Sequence, residues 1–325
     1  MAAATKVLPV LINAAVHHLV LGEPDLELAA IYRGAGGDPW PAFRQLLFAR
    51  ADDLRTTAAT RTIQTNEVAR SSVLLAAFTE VHHQFDRPLA IIEVGPSAGL
   101  NLLFDRYGHT FGDGRTAGDP TSPVQLRCEV RGPLVPPLPS APLPIASRAG
   151  IDIEPIDVHD EDACRWLEAC LWPLVPERAD RLRAAIAIAR TDPPTLHRGR
   201  ATDLLPTLLD ALDRDVVPCI VSTWVLAYFT KEERTAFRAL LDDVGAARDL
   251  ACVTSEYPSV APWIERPGRE PADNAGQAAS ILGLATWQGS RSDDRTAAWN
   301  HAHGAWIDWL DPESSPSVSV HDGPT

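Results

Sequence analysis

The chain has 325 residues, is 45% hydrophobic and carries a formal net charge of −14. That is enough apolar material for a large core, and the acidic balance argues against a nucleic-acid partner, which needs a basic footprint. Its five cysteines, Cys128, Cys164, Cys170, Cys219 and Cys252, show no C-x-x-C spacing, so they argue against a metal site and read as reduced thiols of a cytoplasmic protein.

The first ninety or so residues read as helical. Leu8, Leu11, Ile12, Ala15 and Leu19 recur at helical spacing, predicting an amphipathic core helix over Val7 to Leu21 that Gly22 and Pro24 end. His17 and His18 follow the apolar run without a small-residue cleavage site, which sets it apart from a secretory signal. No apolar run is long enough to span a bilayer, so no membrane partner is expected. A Gly- and Pro-rich loop covers Gly34 to Pro41, a second helix starts at Ala42, and a third runs from about Gln64 to Phe85. A helix starting at Gln64 puts Asn66 and Arg70 on one face with Glu67 beside them. The plain reading is a solvated Glu67–Arg70 ion pair; the functional one is a polar cluster aimed at a ligand cleft. Residues 1–87 are expected to form a helical cap or lid.

Leu89 to Ile92 has the length and branching of a buried parallel strand. Glu93 ends it, Gly95 and Gly99 bracket a tight turn, and an apolar helical pattern starts at Leu100. That order puts backbone N–H groups and a helix N-terminus beside a ligand at the strand's C-terminal end. The glycine spacing is not that of a dinucleotide-binding turn, and an ordinary strand-to-helix turn is the plain alternative. The stretch resembles the first motif of class I S-adenosylmethionine-dependent methyltransferases, acid-x-Gly-x-Gly-x-Gly, with Ser97 at the middle glycine and Pro96 before it.

Farther along, Tyr107 to Gly132 reads as a hairpin insertion and Pro133 to Pro144 as an extended crossing segment. A second core strand begins at Ile145 and ends in Asp152 and Glu154. Asp160 to Arg190 is helical, broken by Pro173 and Pro176. Strand signals follow at Thr195, at Cys219 to Leu226 and at Leu250 to Glu256, and Ile281 to Trp287 with Ala297 to Leu310 suggest an antiparallel pair. The tail, 313–325, is rich in Ser, Pro and Gly and is expected to be disordered. The expected fold is α/β, with a mostly parallel sheet, over 88–312 and with an insertion at about 105–145.

The methyltransferase resemblance implies S-adenosylmethionine as cofactor and a Rossmann-like sheet with an antiparallel C-terminal strand. Glu93, Gly95, Ser97, Gly99, Asn101 and Ser222 would line the cofactor, with Gly99 leaving room for its methionine end. Asp152 would grip the ribose hydroxyls, with Glu154 as runner-up. At the third strand Arg200 stands where such enzymes often carry Asp, and Asp203 reads as a helix N-cap. Trp224 and Tyr228 follow the fourth strand and would face the substrate or pack as core aromatics.

A wider resemblance rests on Gln64-Thr-Asn-Glu67, Glu93 to Tyr107, Gly118-Asp-Pro-Thr-Ser-Pro123, Arg127 to Gly132, Arg148-Ala-Gly-Ile-Asp152 and His303-Gly-Ala-Trp306. Together these are similar to an uncharacterised bacterial family, domain of unknown function 2332. That resemblance raises Asn66, Arg70 and Asp119 as substrate-pocket residues, and His303 as a cleft residue. Candidate bases are Glu67, His303 and Glu256. The His17-His18 and His82-His83 pairs point to different helix faces and read as structural. The expected activity is methyl transfer to the oxygen or nitrogen of a small molecule. The alternatives are a non-methylating cyclisation or lyase reaction in the same cleft, or a non-catalytic binding or assembly module.

Overall fold

A computed structural model describes residues 2–271 and 279–311, with the side chains of 2–7 left aside. Helices α1 (Ala2–Gly22), α2 (Glu27–Ala30), α3 (Pro39–Ala49), α4 (Ala51–Thr60) and α5 (Arg70–Phe85) precede the first strand. Then come β1 (Leu89–Val94), β2 (Gly108–Phe111), β3 (Thr116–Gly118), β4 (Gln125–Arg131), β5 (Ile145–Asp152), α6 (Glu161–Ala169), α7 (Pro176–Thr191), β6 (Thr195–Arg198), α8 (Ala201–Asp210) and β7 (Val217–Thr223). The order ends with α9 (Lys231–Ala247), β8 (Leu250–Glu256), β9 (Ala279–Gln288), β10 (Arg291–His301) and β11 (Trp306–Trp309). None of the described helices is long and apolar enough to cross a membrane. The predicted disordered tail lies outside the described residues.

The chain forms two compact units, 1–66 with 156–193 and 67–155 with 194–325. This differs from the predicted division at residue 87. The first unit is helical. Trp166 donates its indole N–H to Thr62 O at 2.8 Å, and the His17 ring donates to Ala169 O at 3.2 Å. Burial holds the His17 pKa below the usual histidine range. So α6, which the sequence suggested as part of the sheet domain, packs with the N-terminal helices, and α7 belongs to the same unit.

The second unit is built on one large, mostly parallel sheet. Among the described residues its order is β3-β2-β4-β11-β10-β9-β8-β7-β1-β5-β6. β6, β5, β1, β7 and β8 are mutually parallel, and β9 joins β8 antiparallel. Both faces are covered. α5 packs with Leu89 and Ile91 of β1 and Val217, Cys219 and Val221 of β7. Ile92, Val94 and Ile220 face the opposite way, against Leu205 of α8 and Phe237 and Leu241 of α9. This alternation on strands buried on both sides is why they read as continuous apolar runs.

The insertion is more than a hairpin. β2 and β3 pair antiparallel, but β4 runs parallel to β2 and then parallel to β11, so the segment extends the main sheet. β9 and β10 pair antiparallel, joined through Gly289 and Ser290, both at positive φ, and β10 pairs antiparallel with β11 in turn. The predicted piece Ala297 to Leu310 is the end of β10, a turn and β11. The third predicted helix starts at Arg70, six residues later than Gln64, and twelve of its sixteen residues are buried. α5 is therefore a core helix of the sheet.

Candidate functional site

From β1 the chain moves to β5 and β6 on one side, then returns to β7 and β8 on the other. Open α/β sheets bind ligands outside the carboxyl ends of their strands at such a reversal. Most of the predicted site residues come together there.

The turn after β1 is shaped by left-handed backbone. Gly95, Ser97 and Gly99 sit at φ 70°, 57° and 72°, so each position of the resemblance that favours glycine has a conformational reason to do so. A Cβ on Gly95 would lie 2.3 Å from Val225 Cγ2, and one on Gly99 2.6 Å from Pro194 Cγ. The glycine at 99 is thus required by the protein's own packing. Ser97 carries the strain of a side chain there, and its buried Oγ has no hydrogen-bond partner. Ser97→Gly is expected to raise stability by about 0.5–1 kcal/mol, the left-handed penalty less the added chain entropy of glycine. The urea midpoint measures it, and a lower midpoint would mean that the hydroxyl holds the turn.

Several turn N–H groups are already committed. Gly95 donates to Ile151 O at 2.8 Å, Gly99 to Pro96 O at 2.8 Å, and Ser97 to Asp152 Oδ2 at 2.9 Å. Asp152 therefore stands beside the turn at the end of the neighbouring strand. Its Oδ1 accepts from Glu154 N at 2.9 Å, and the residue is half-buried, while Glu154 is exposed. Behind the turn, Arg148 forks onto Asp105 at 2.5 and 2.7 Å, and Tyr107 donates to Leu100 O at 2.7 Å.

Glu93 is 2% exposed, and its Oε2 has no hydrogen-bond partner. Burial pushes its pKa up to about 8, against the opposing pull of Arg70 and of a hydrogen bond from Asn101. Asn101 also accepts from Ser71 Oγ at 3.0 Å, so its amide serves the fold.

Arg70, at the head of α5, donates Nε to Ala302 O at 2.8 Å and brings Nη1 to 3.5 Å from Thr223 O. This links the end of β7 to the turn between β10 and β11. Gly304, φ 74°, lets that turn close on the helix start: a Cβ there would lie 2.2 Å from Ala69 O. Glu67 is buried, its Oε1 accepting from Ala69 N at 3.3 Å, so the exposed-ion-pair reading fails. His303 is exposed in the turn and donates its N–H to His301 Nδ1 at 3.1 Å.

At the end of β8, Glu256 is buried and its Oε1 gathers three donors: Ser222 Oγ at 2.8 Å, Val225 N at 2.9 Å and Leu226 N at 3.0 Å. Burial raises its pKa although these bonds oppose it. Glu256 and Ser222 thus fix the turn after β7, and the expectation of Glu256 as a base gives way to this anchoring role. Within that turn Trp224 has φ 60°, a strained value for a bulky residue and of the kind found where function requires it. Its N–H donates to Ser255 O at 3.1 Å and its indole to Ser280 Oγ at 2.9 Å. Tyr257 meets its ring edge-on at 6.3 Å; the sequence reading missed Tyr257, whose one signal was its place beside a strand-end acid.

Two predicted residues are not drawn in. Tyr228 is 75% exposed on the short helical turn Leu226–Tyr228. Asp119 is exposed, its Oδ1 accepting from Thr121 N at 2.8 Å and Thr121 Oγ1 at 2.7 Å, a local loop bond. Asn66 is buried and ends the helical unit. Asp203 is not an N-cap; Arg200 occupies that position and pairs with Glu233.

Fold and site together define a mixed α/β protein whose acidic and aromatic side chains collect at the carboxyl edge of a large, mostly parallel sheet. The chain belongs to the family described as uncharacterised protein conserved in bacteria (DUF2332), whose sequence profile matches residues 1–309. No protein of curated function matches it.

Proposed function

We propose that this is a Rossmann-like methyltransferase fold, that the edge formed by β1 and β5 binds S-adenosylmethionine, and that the protein transfers a methyl group to a small molecule. The observation that carries this reading is the acidic strand end, left-handed turn and second strand-end acid in one hydrogen-bonded unit, with Ser97 N on Asp152 Oδ2. The order β6-β5-β1-β7-β8 supports it, as it repeats the strand reversal of nucleoside-binding sheets. The residues present fit such a group. Asp152 keeps unused lone pairs on a half-buried carboxylate, suited to two ribose hydroxyls, and Glu93 Oε2 and Ser97 Oγ are buried acceptors without partners.

When bound, S-adenosylmethionine would supply an electrophilic methyl on a sulfonium. The chain's contribution would be alignment of the acceptor in a dry site. Glu67 and His303 are the proposed bases for an acceptor that must lose a proton.

Calorimetric titration with S-adenosylmethionine and S-adenosylhomocysteine tests the reading, and micromolar-range binding is expected. Absence of heat and of thermal shift with both would sink the cofactor assignment. Asp152→Ala should weaken binding by at least ~1.5 kcal/mol, about tenfold, through loss of charge-assisted bonds to two hydroxyls, whereas Glu154→Ala should leave it unchanged. A larger effect at Glu154 would move the ribose site.

A further inference from the structure

We propose that the Arg200–Glu233 pair, just beyond the carboxyl end of β6, reads the base of the cofactor: the Glu233 carboxylate accepts from the 6-amino group of adenine and the Arg200 guanidinium donates to the ring nitrogen beside it. This rests on the reading that S-adenosylmethionine occupies the β1–β5 side.

The first observation is placement. β1, β5 and β6 are adjacent parallel strands, so their carboxyl ends step along the sheet edge at about 4.8 Å per strand. The left-handed turn follows the first and Asp152 ends the second. At the third, Gly199 N donates to Asp152 O at 2.9 Å, and Arg200 is the next residue. A nucleoside with its 5′ side on the turn and its sugar on Asp152 therefore runs its base toward the end of β6. Ile153, 70% exposed, follows Asp152 and gives that stretch an apolar surface. Arg198 Nη1 lies 3.5 Å from Ile153 O and links the two strand ends.

The second observation is the pair itself. Arg200 stands at the N-cap of α8 without capping it through its side chain; its Nη2 pairs with Glu233 Oε1 instead. Glu233 is fixed from its own helix, where its Oε2 accepts from Thr230 N at 2.8 Å in the capping box of α9. The bond from Thr230 and then the one from Arg200 hold the Glu233 carboxyl below the usual carboxylate range, so it is ionised at neutral pH. Both side chains are open to a ligand, the arginine 56% and the glutamate 31% exposed. Among the described residues Arg200 Nε and Nη1 have no acceptor, and each carboxylate oxygen keeps a further lone pair. Donor and acceptor thus stand side by side, the pattern with which an amide side chain binds adenine through N6 and a neighbouring ring nitrogen. A 6-oxopurine would set a carbonyl oxygen against the carboxylate, acceptor against acceptor.

The test is calorimetric titration of the full chain with S-adenosylhomocysteine and with S-inosylhomocysteine, its deaminated 6-oxo counterpart. The adenine form is expected to bind at least about tenfold tighter. Arg200→Ala and Glu233→Gln should each weaken S-adenosylhomocysteine at least about threefold and narrow the ratio between the two nucleosides. Arg200 is exposed, so its truncation leaves the core intact, and glutamine at 233 keeps a carbonyl for Thr230 N, so α9 keeps its cap. A pair that merely ties α8 to α9 at the surface would leave both affinities unchanged in Arg200→Ala, and that result overturns the proposal. S-adenosylhomocysteine that binds no better than the 6-oxo form overturns the base reading alone. Absence of binding by both nucleosides sinks the cofactor assignment and this inference with it.

Discussion

Glu256→Ala is expected to lower stability by about 2–4 kcal/mol, read as a fall in the urea midpoint at pH 7. The carboxylate oxygen accepts from Ser222 Oγ, Val225 N and Leu226 N in a buried setting. Each donor left without an acceptor costs ~1–3 kcal/mol, partly offset because a buried carboxyl group no longer has to be desolvated. Glu256→Gln keeps one carbonyl oxygen for the same three donors and is expected to lose about 1 kcal/mol or less. If Ala and Gln cost the same, the three bonds do not hold the turn. The loss in Glu256→Ala should also show in near-ultraviolet circular dichroism, because the turn that positions Trp224 relaxes.

The strand-end acids and the glycine turn were legible because their signals are local. A short apolar run, an acid and two glycines within a dozen residues specify strand, end and left-handed turn together. Asp152 was legible for the same reason. The role of Glu256 was not, since its donors lie about thirty positions away at the end of another strand and in the turn after it, and only the sheet brings them together. The start of α5 was misplaced because Ala69, which occupies the cap position, offers no side-chain hydrogen bond. At α9, by contrast, Thr230 and Glu233 form a capping box that is written in the sequence. The first half of β10, Arg291 to Arg295, carries four charges and no apolar alternation, so the strand is visible only through the Gly289-Ser290 turn before it. The parallel pairing of β4 with β11 links segments far apart in the chain, which no periodicity reports.

Glu93→Gln is expected to change how stability depends on pH more than any other substitution in the site. Burial pushes the Glu93 pKa from 4.5 up to about 8. Between those values the folded protein holds a proton at Glu93 that the unfolded chain has lost. The native state then binds more protons, so stability falls as pH rises across that window. The contribution is fully present below about pH 4.5 and is lost by the time pH passes about 8. At ~1.4 kcal/mol per pH unit this amounts to about 3–5 kcal/mol. Glutamine has the shape of the protonated acid and never ionises. The variant should match the wild type near pH 5, become more stable than it by about 3–5 kcal/mol at pH 9, and keep the hydrogen bond to Asn101. Urea midpoints at pH 5, 7 and 9 for both proteins measure the difference, which cancels the contributions of the many other acids. A difference that stays flat with pH would mean that Arg70 already neutralises Glu93 in the folded state.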